Sequence, residues 1–290
     1  MALKKFLMIG AVAAVLVACG DDDSDFATRP SGDSSSACED CDGSNSSKAK
    51  SSSSSAKSSS SVASSSSVPE GFIDPSTVVK GTMTDERDGQ TYKTVTIGTQ
   101  IWMAENLNYA YTGVPYNYSG NTSDSTSWCY GDNPANRTKY GRLYTWAAAM
   151  DSVGTWSTNS KGCGYGTRCS PTYPVRGVCP EGWHLPDTTE WHTLFTAVGK
   201  STAGTMLKST SGWNGSGNGT DAYAFSALPA GGRGGNGHFN YEGNNAYFWS
   251  STDDNSYYSY SMILYYNGDY AGLDDGNEGY GFSVRCVKDE

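Results

Sequence analysis

A stretch dominated by serine, from residue 44 to residue 67, divides this chain into two parts with different folding capacity. It carries a few lysines and almost no apolar side chain, so it has no surface to bury and cannot form a core of its own. All eight Trp and all twenty Tyr of the chain lie after it. A folded domain is therefore expected only in the C-terminal part.

Residues 1–19 have the pattern of a signal peptide. Lys4 and Lys5 precede an apolar run over residues 6–18, which is too short to span a bilayer comfortably. The sequence Leu-Val-Ala-Cys that ends at Cys19 resembles the lipobox of bacterial lipoproteins, in which the cysteine is lipidated and becomes the new N-terminus. We expect a membrane anchor at Cys19, since several acyl chains on one residue hold firmly. An ordinary secretory signal with another cleavage site is the alternative.

Residues 20–75 are expected to form a disordered linker. Residues 20–42 hold eight acidic residues and one basic residue, which is −7 of the formal net charge of −10. As a flexible coil, the linker would span roughly 40 Å and lift a domain clear of a membrane. The acidic run behind Cys19 resembles surface-export signals of some Gram-negative groups, which favours an outer-membrane, surface-exposed location in the cell envelope. No segment is basic enough to indicate nucleic-acid binding.

Residues 76–290 are long enough for one domain with a substantial core. Alternation and β-branched residues predict two strands joined by a tight turn at residues 91–97 and 100–103. A short helix is predicted over residues 142–150. A second helix is predicted to begin after the N-cap Asp187 and to end at Gly199.

Beyond the second helix the pattern changes to period two and to glycine. Strands are predicted at residues 224–228, 247–251, 258–266 and 280–287. Two loops rich in Gly and Asn separate them, at residues 229–246 and 267–279. The fold class predicted from this order is α+β, with two helices and a loop-rich antiparallel sheet in the C-terminal half.

The cysteines suit an oxidising compartment. Cys38 and Cys41 form a CxxC pair without a strand-helix context, so we expect a local disulfide or two unused thiols. The spacing of the five cysteines of the domain does not select one set of pairs. Gly164 and Gly166 favour closure of a small loop by Cys163 with Cys169, and a bridge from Cys179 to Cys286 would close a loop of about a hundred residues. The five are Cys129, Cys163, Cys169, Cys179 and Cys286.

The seventeen residues from Cys179 to Phe195, CPEGWHLPDTTEWHTLF, contain a cysteine and two histidines. A catalytic Cys/His dyad would need a free, activated thiol at Cys179. His184 and His192 lack the i, i+4 spacing of a helical zinc pair. We interpret the stretch as structural and predict no catalytic residue, so the chain is not expected to be an enzyme.

Two acidic loop segments, residues 253–255 and 274–278, carry the oxygen ligands that calcium prefers. Neither has EF-hand spacing, and solvated loop acids are the favoured interpretation. No cofactor is therefore expected, with calcium the one ion that these loops could ligate.

Tyrosines fall on both faces of the predicted strand 258–266, so some of them point away from the core. Outward aromatic rings suit flat, polar ligands such as sugars, since they offer a large contact area at little cost in side-chain entropy. The alternative is that the rings cover a small core and keep their hydroxyls in water. The candidate ligand contacts are Tyr241, Tyr258, Tyr266 and Tyr270.

Six ordered motifs resemble the Fibrobacter succinogenes major paralogous domain, from about Gly81 to the C-terminus. They are residues 88–92 (DGQTY), 101–108 (IWMAENLN), 140–150 (YGRLYTWAAAM), 179–186 (CPEGWHLP), 248–252 (FWSST) and 283–287 (SVRCV). Residues 184–191 and 283–286 also resemble segments of formylglycine-generating enzymes, whose fold is a variant of the C-type lectin domain.

The resemblance implies a C-type-lectin-like fold in which the end of a helix is bridged to the last strand, here Cys179 with Cys286. Arg137 stands where related sequences often carry a cysteine, which leaves Cys129 unpaired. The reactive cysteines of formylglycine-generating enzymes and the calcium and sugar signature of C-type lectins have no counterpart in this chain.

The sequence thus predicts a lipid-anchored, non-catalytic surface module that binds plant-wall or other polysaccharide through the two Gly- and Asn-rich loops and outward tyrosines. The alternatives are a module that docks envelope proteins and a degenerate enzyme of the formylglycine-generating type.

Overall fold

The computed structural model of the chain describes residues 70–118, 120–123 and 126–290. The signal peptide with Cys19, the Cys38 and Cys41 pair and nearly all of the predicted linker lie outside the described residues. In the described part, no helix has both the length and the apolar run needed to cross a bilayer.

The described residues contain four α-helices: α1 (Pro134–Tyr140), α2 (Trp146–Ala149), α3 (Thr188–Val198) and α4 (Ala203–Leu207). They also contain fifteen strands: β1 (Val79–Asp85), β2 (Gln90–Ile97), β3 (Gln100–Met103), β4 (Tyr116–Tyr118), β5 (Asn121–Ser123), β6 (Ser127–Trp128), β7 (Leu143–Tyr144), β8 (Trp183–His184), β9 (Gly232–Arg233), β10 (Phe239–Asn240), β11 (Asn245–Asp253), β12 (Tyr258–Tyr265), β13 (Ala271–Asn277), β14 (Phe282–Ser283) and β15 (Val287–Lys288).

Two larger sheets organise these strands. An antiparallel five-stranded sheet has the order β1-β2-β3-β15-β8, and a six-stranded sheet has the order β13-β12-β11-β14-β7-β6. Within the six-stranded sheet only β11 and β14 run parallel. The α+β class is confirmed, with a strong predominance of sheet, but the described residues contain four helices where the sequence predicted two.

Helix α3 fills the space between the two sheets. Its apolar face carries Trp191 and Leu194, which pack with Trp102 of β3 and with Phe248 of β11 in one buried cluster. Asp187 accepts a hydrogen bond from the Glu190 amide, and the Glu190 carboxylate accepts one from the Asp187 amide. This reciprocal capping satisfies two amides that would otherwise lack partners, so the predicted start of the helix is confirmed.

Both disulfides are present. Cys179 is bonded to Cys286 and Cys163 to Cys169, and Cys129 is a free thiol. Cys179 and Cys286 are fully buried. The bridge joins the segment before β8 to the segment between β14 and β15, which are 107 residues apart in the chain.

The predicted strands at residues 91–97, 100–103, 247–251 and 258–266 are confirmed as β2, β3, β11 and β12. The predicted helix over residues 142–150 is wrong at its start. Leu143 and Tyr144 form β7 and pair with strands on both sides, so only Trp146–Ala149 is helical. Pairing with neighbours distant in the chain overrides local helix propensity there.

Three other strand and loop predictions need correction. Residues 224–228 are irregular, because Ala224 and Ser226 have left-handed backbone conformations and Asp221 binds the amide and hydroxyl of Ser226. Residues 280–287 do not form one strand, since β14 and β15 lie in different sheets. The predicted loop over residues 267–279 contains β13, which pairs with β12.

Removal of the long-range bridge by Cys179→Ala with Cys286→Ala should lower the free energy of unfolding by about 4 to 5 kcal/mol. The loop that it closes is long, so the unfolded chain gains much conformational entropy without it. The matched control, Cys163→Ala with Cys169→Ala, opens a loop of only six residues and should cost about 2 kcal/mol. Urea unfolding of the three proteins measures both, and equal losses for the two pairs would contradict this.

Candidate functional site

The stretch from Cys179 to Phe195 is a structural element. The Cys179 sulfur is in a disulfide, so no Cys/His dyad forms there. His184 lies 2.7 Å from Glu190 through Nε2 and 2.7 Å from Asp289 through Nδ1. Burial lowers the pKa of His184, but these two carboxylates outweigh it and leave the pKa raised. His184 thus ties the start of α3 to the C-terminus of the chain.

Five tyrosines from four separate segments form a group that we call the tyrosine cluster: Tyr118, Tyr165, Tyr257, Tyr258 and Tyr280. The ring centroids of Tyr118 and Tyr165 are 4.7 Å apart, and those of Tyr165 and Tyr257 are 5.1 Å apart. Tyr280 lies 6.5 Å from Tyr118. All three pairs meet edge to face, which is a favoured aromatic geometry.

Three rings of the tyrosine cluster are exposed: Tyr165, Tyr257 and Tyr258. Tyr165 and Tyr280 pack against Tyr118. Partial burial, and then the neighbouring Tyr165 and Tyr280, raise the pKa of Tyr118 to about 12. The group therefore offers aromatic faces and neutral hydroxyls, which donate and accept hydrogen bonds, on one patch of surface.

The small disulfide positions one member of the cluster. Tyr165 lies in the loop that Cys163 and Cys169 close, and the next amide, that of Gly166, donates a hydrogen bond to the Ser256 carbonyl. This contact fixes the Tyr165 loop to the turn that carries Tyr257. A ring held in this way loses little conformational entropy when a ligand binds.

Close packing fixes Tyr118. A Cβ atom added at Gly235 or Gly279 would lie only 2.0 Å or 2.3 Å from the Tyr118 ring, so the ring sits directly on both backbones. The Tyr116 hydroxyl of the same strand donates to the carbonyls of Gly235 and Gly279. Gly235 and Gly279, one from each of the two predicted loops, thus leave room for the aromatic residues of β4 to pack against their backbones.

A buried acid lies in the turn next to Tyr280. Glu278 is 1% exposed, and its Oε1 accepts a hydrogen bond from the Ser259 hydroxyl at 2.8 Å. Its Oε2 is buried without a hydrogen-bond partner. Burial raises the pKa of Glu278 to about 7. The Glu278 amide also donates to the Tyr257 carbonyl, so this acid and the tyrosine cluster share one segment of backbone.

The four tyrosines predicted as ligand contacts do not lie together. Tyr258 is in the tyrosine cluster at the start of β12. Tyr266 follows the end of the same strand, roughly 26 Å away at 3.3 Å per residue. Tyr270 is exposed near that far end, and Tyr241 is half-buried against the core with a left-handed backbone. Their role in ligand binding stays a prediction.

The two acidic segments use their oxygens in local hydrogen bonds to nearby amides. Asn255 Oδ1 accepts from the Tyr257 amide, and Asn277 Oδ1 accepts from the Gly279 amide. Asp274 Oδ1 accepts from the Asp275 amide. Among the described residues, no group of three His, Cys, Asp or Glu side chains is placed to hold a metal ion.

Sequence reasoning missed Tyr118, Tyr165, Tyr257 and Tyr280 as site residues. The sequence does contain an indication for Tyr165. It lies between two glycines within a segment flanked by two cysteines, which predicts a ring exposed on a short closed loop. Nothing local marks Tyr118, because its role depends on strands that are distant in the chain.

Replacement of Glu278 by Gln should remove a pH dependence of stability. The pKa of Glu278 is about 7 in the fold against an ordinary value of 4.5. The unfolded chain therefore loses this proton first, and stability falls by up to about 3 kcal/mol as the pH rises from 4.5 to 7, without recovery above. We expect Glu278→Gln to unfold at a higher temperature than the parent at pH 8.

Thermal unfolding at pH 5 and pH 8 measures this difference. His184 adds a slope of the same sign, because its raised pKa stabilises the fold at low pH and this is lost as the pH rises, but it is common to both proteins. The exposed Glu181→Gln should behave as the parent does. Parallel pH profiles for parent and Glu278→Gln would refute the assignment.

The comparisons with known proteins give one family. The profile of the Fibrobacter succinogenes major domain matches residues 95–288, which include α1 to α4 and every strand from β3 to β15. No curated protein and no solved structure matches the chain. The match covers well over half of the 290 residues. The chain therefore belongs to the Fibrobacter succinogenes major domain family.

Proposed function

We propose that this protein is a non-catalytic, lipid-anchored module of the cell surface that binds plant-wall or other polysaccharide. Cys19 would carry the anchor, and residues 20–75 would hold the domain away from the outer membrane. The domain of residues 76–290 would be C-type-lectin-like. A sheet-rich domain with few helices, and a disulfide from the segment before β8 to the segment between β14 and β15, support this fold.

The observation that carries the proposal is the tyrosine cluster. Sugars present flat CH-rich faces and a rim of hydroxyls, and rigid aromatic rings with polar edges match both. Tyr165 and Tyr257 offer exposed rings that meet edge to face, and the rings of Tyr118 and Tyr280 continue the cluster. The Asp254 and Asn255 side chains in the adjoining turn add further hydrogen-bonding groups.

Two further functions remain as alternatives. A module that docks envelope proteins would use the same aromatic surface, because tyrosine is also enriched at protein interfaces. A degenerate enzyme of the formylglycine-generating type would need a reactive thiol. Cys129 is the one free cysteine in the described part of the chain.

Tyr165→Ala should weaken retention on insoluble cellulose or xylan about tenfold, the equivalent of one lost aromatic contact. The matched control is Tyr173→Ala, since Tyr165 and Tyr173 are each 46% exposed and Tyr173 lies outside the tyrosine cluster. The control should bind as the parent does. Pull-down with and without a chelator measures retention and any calcium dependence.

The outcomes separate the alternatives. Loss of retention with Tyr266→Ala or Tyr270→Ala, and none with Tyr165→Ala, would move the sugar site to the far end of β12. No retention of the parent on any glycan would overturn the sugar proposal and favour protein docking. A thiol titration that finds an acidic, reactive Cys129 would favour the enzyme.

A further inference from the structure

A polar cavity of about 450 Å³ lies between β2, the segment after β3 and the C-terminal turn of α1. Its size is within the range of small-molecule sites. Its lining includes Lys93, Arg137, Lys139 and Arg285 with a single acid, Glu105. We call this cavity the basic cleft. It shares no lining residue with the tyrosine cluster.

The positive charge of the basic cleft is unusual for this domain. Residues 70–290 contain 14 basic and 22 acidic residues, a net charge of −8. Lys93 is paired with Glu105 at 3.3 Å and Lys139 with Glu242 at 3.8 Å. Arg137 and Arg285 have no acidic partner within the described ranges. The cleft therefore holds two cations without a close ion-pair partner, and Asp221 and Glu105 act on Arg285 only through space.

Arg285 supplies one of these charges from beneath the cleft. Its side chain is fully buried, and its nitrogens donate to Asn106 Oδ1 and to the backbone carbonyls of Phe225 and Ser226. These neutral acceptors satisfy the donors without cancelling the charge. Burial lowers the pKa of Arg285 to about 9. Burial thus destabilises the charged form of Arg285. A negative group nearby would offset this destabilisation electrostatically, because the effective dielectric constant of a protein interior is low.

Asn108 supplies an unused acceptor in the same cleft. Its Nδ2 donates to Gln90 Oε1 at 3.0 Å, which orients the amide. Its Oδ1 is buried and receives no hydrogen bond. A buried acceptor without a donor costs roughly 1 to 3 kcal/mol, so a hydroxyl that donates to it is favoured.

We propose that the basic cleft binds the carboxylate-bearing unit of an acidic saccharide, a uronic acid. Arg137, which is exposed and lines the cleft, pairs with the carboxylate, and Asn108 Oδ1 accepts a hydrogen bond from a sugar hydroxyl. Both features are needed to select this class, since a cation alone suits any anion and an acceptor alone suits any sugar. The site is independent of the tyrosine cluster.

Isothermal titration of the full-length chain in detergent tests this with three probes: glucuronic acid, glucose and inorganic phosphate. We expect binding of glucuronic acid that weakens with added salt, and no measurable binding of the other two. Arg137→Ala should weaken glucuronic acid about tenfold, and Arg137→Lys should retain most of the affinity. Arg168→Ala, which removes an exposed arginine outside the cleft, is the control and should bind as the parent does.

Three results would overturn the proposal. Equal binding of phosphate would show a general anion site, and equal binding of glucose would show that charge plays no part. No binding of glucuronic acid, or unchanged binding by Arg137→Ala, would remove the site. Tyr165→Ala changes the tyrosine cluster and not the basic cleft, so it should leave the glucuronic acid titration unchanged. The proposal for the basic cleft and the proposal for the tyrosine cluster can therefore fail separately.

Discussion

The C-terminal segment from Phe282 to Lys288 holds the structure together, because it crosses from one sheet to the other. Phe282 and Ser283 belong to the six-stranded sheet, and Val287 and Lys288 belong to the five-stranded sheet. Between them, the carbonyls of Val284 and Cys286 accept hydrogen bonds from Leu107 and Met103. The Cys179–Cys286 bridge and the buried Arg285 lie in the same crossing, so a covalent bond and a buried hydrogen-bond network both depend on this short segment.

Buried polar groups, more than regular structure, order the long loops. Asp151 is fully buried and accepts hydrogen bonds from the Tyr111 hydroxyl and from the amides of Thr155 and Trp156. Arg285 is a buried cation that orders residues 225 and 226 in the same way, because its guanidinium donates hydrogen bonds to their carbonyls. Such groups are costly when unpaired and therefore specify one loop conformation. This is how a glycine-rich chain can hold exposed tyrosines in fixed positions.

Two surfaces of the domain have complementary properties. The tyrosine cluster is neutral and aromatic, which suits the faces of sugar rings. The basic cleft is polar and positive, which suits a carboxylate on such a ring. A module with both would recognise an acidic heteropolysaccharide at two places along one chain, and its combined affinity would exceed that of either contact. Neither surface needs a moving part, in keeping with a domain fixed by two disulfides.

The sequence by itself determined the features that depend on a few neighbouring residues, namely the hairpin of β2 and β3 and the capped helix α3. It also determined the α+β class and, through six ordered motifs, the family. Only the tertiary structure decided where the chain pairs with distant partners. It made Leu143 and Tyr144 a strand, split residues 280–287 between two sheets and brought Tyr118 to Tyr165. The physical reason is that caps and alternation act over one to four residues, whereas strand partners and surface clusters depend on contacts between segments that are distant in the chain, such as Leu143 with Ser283 and Tyr118 with Tyr165.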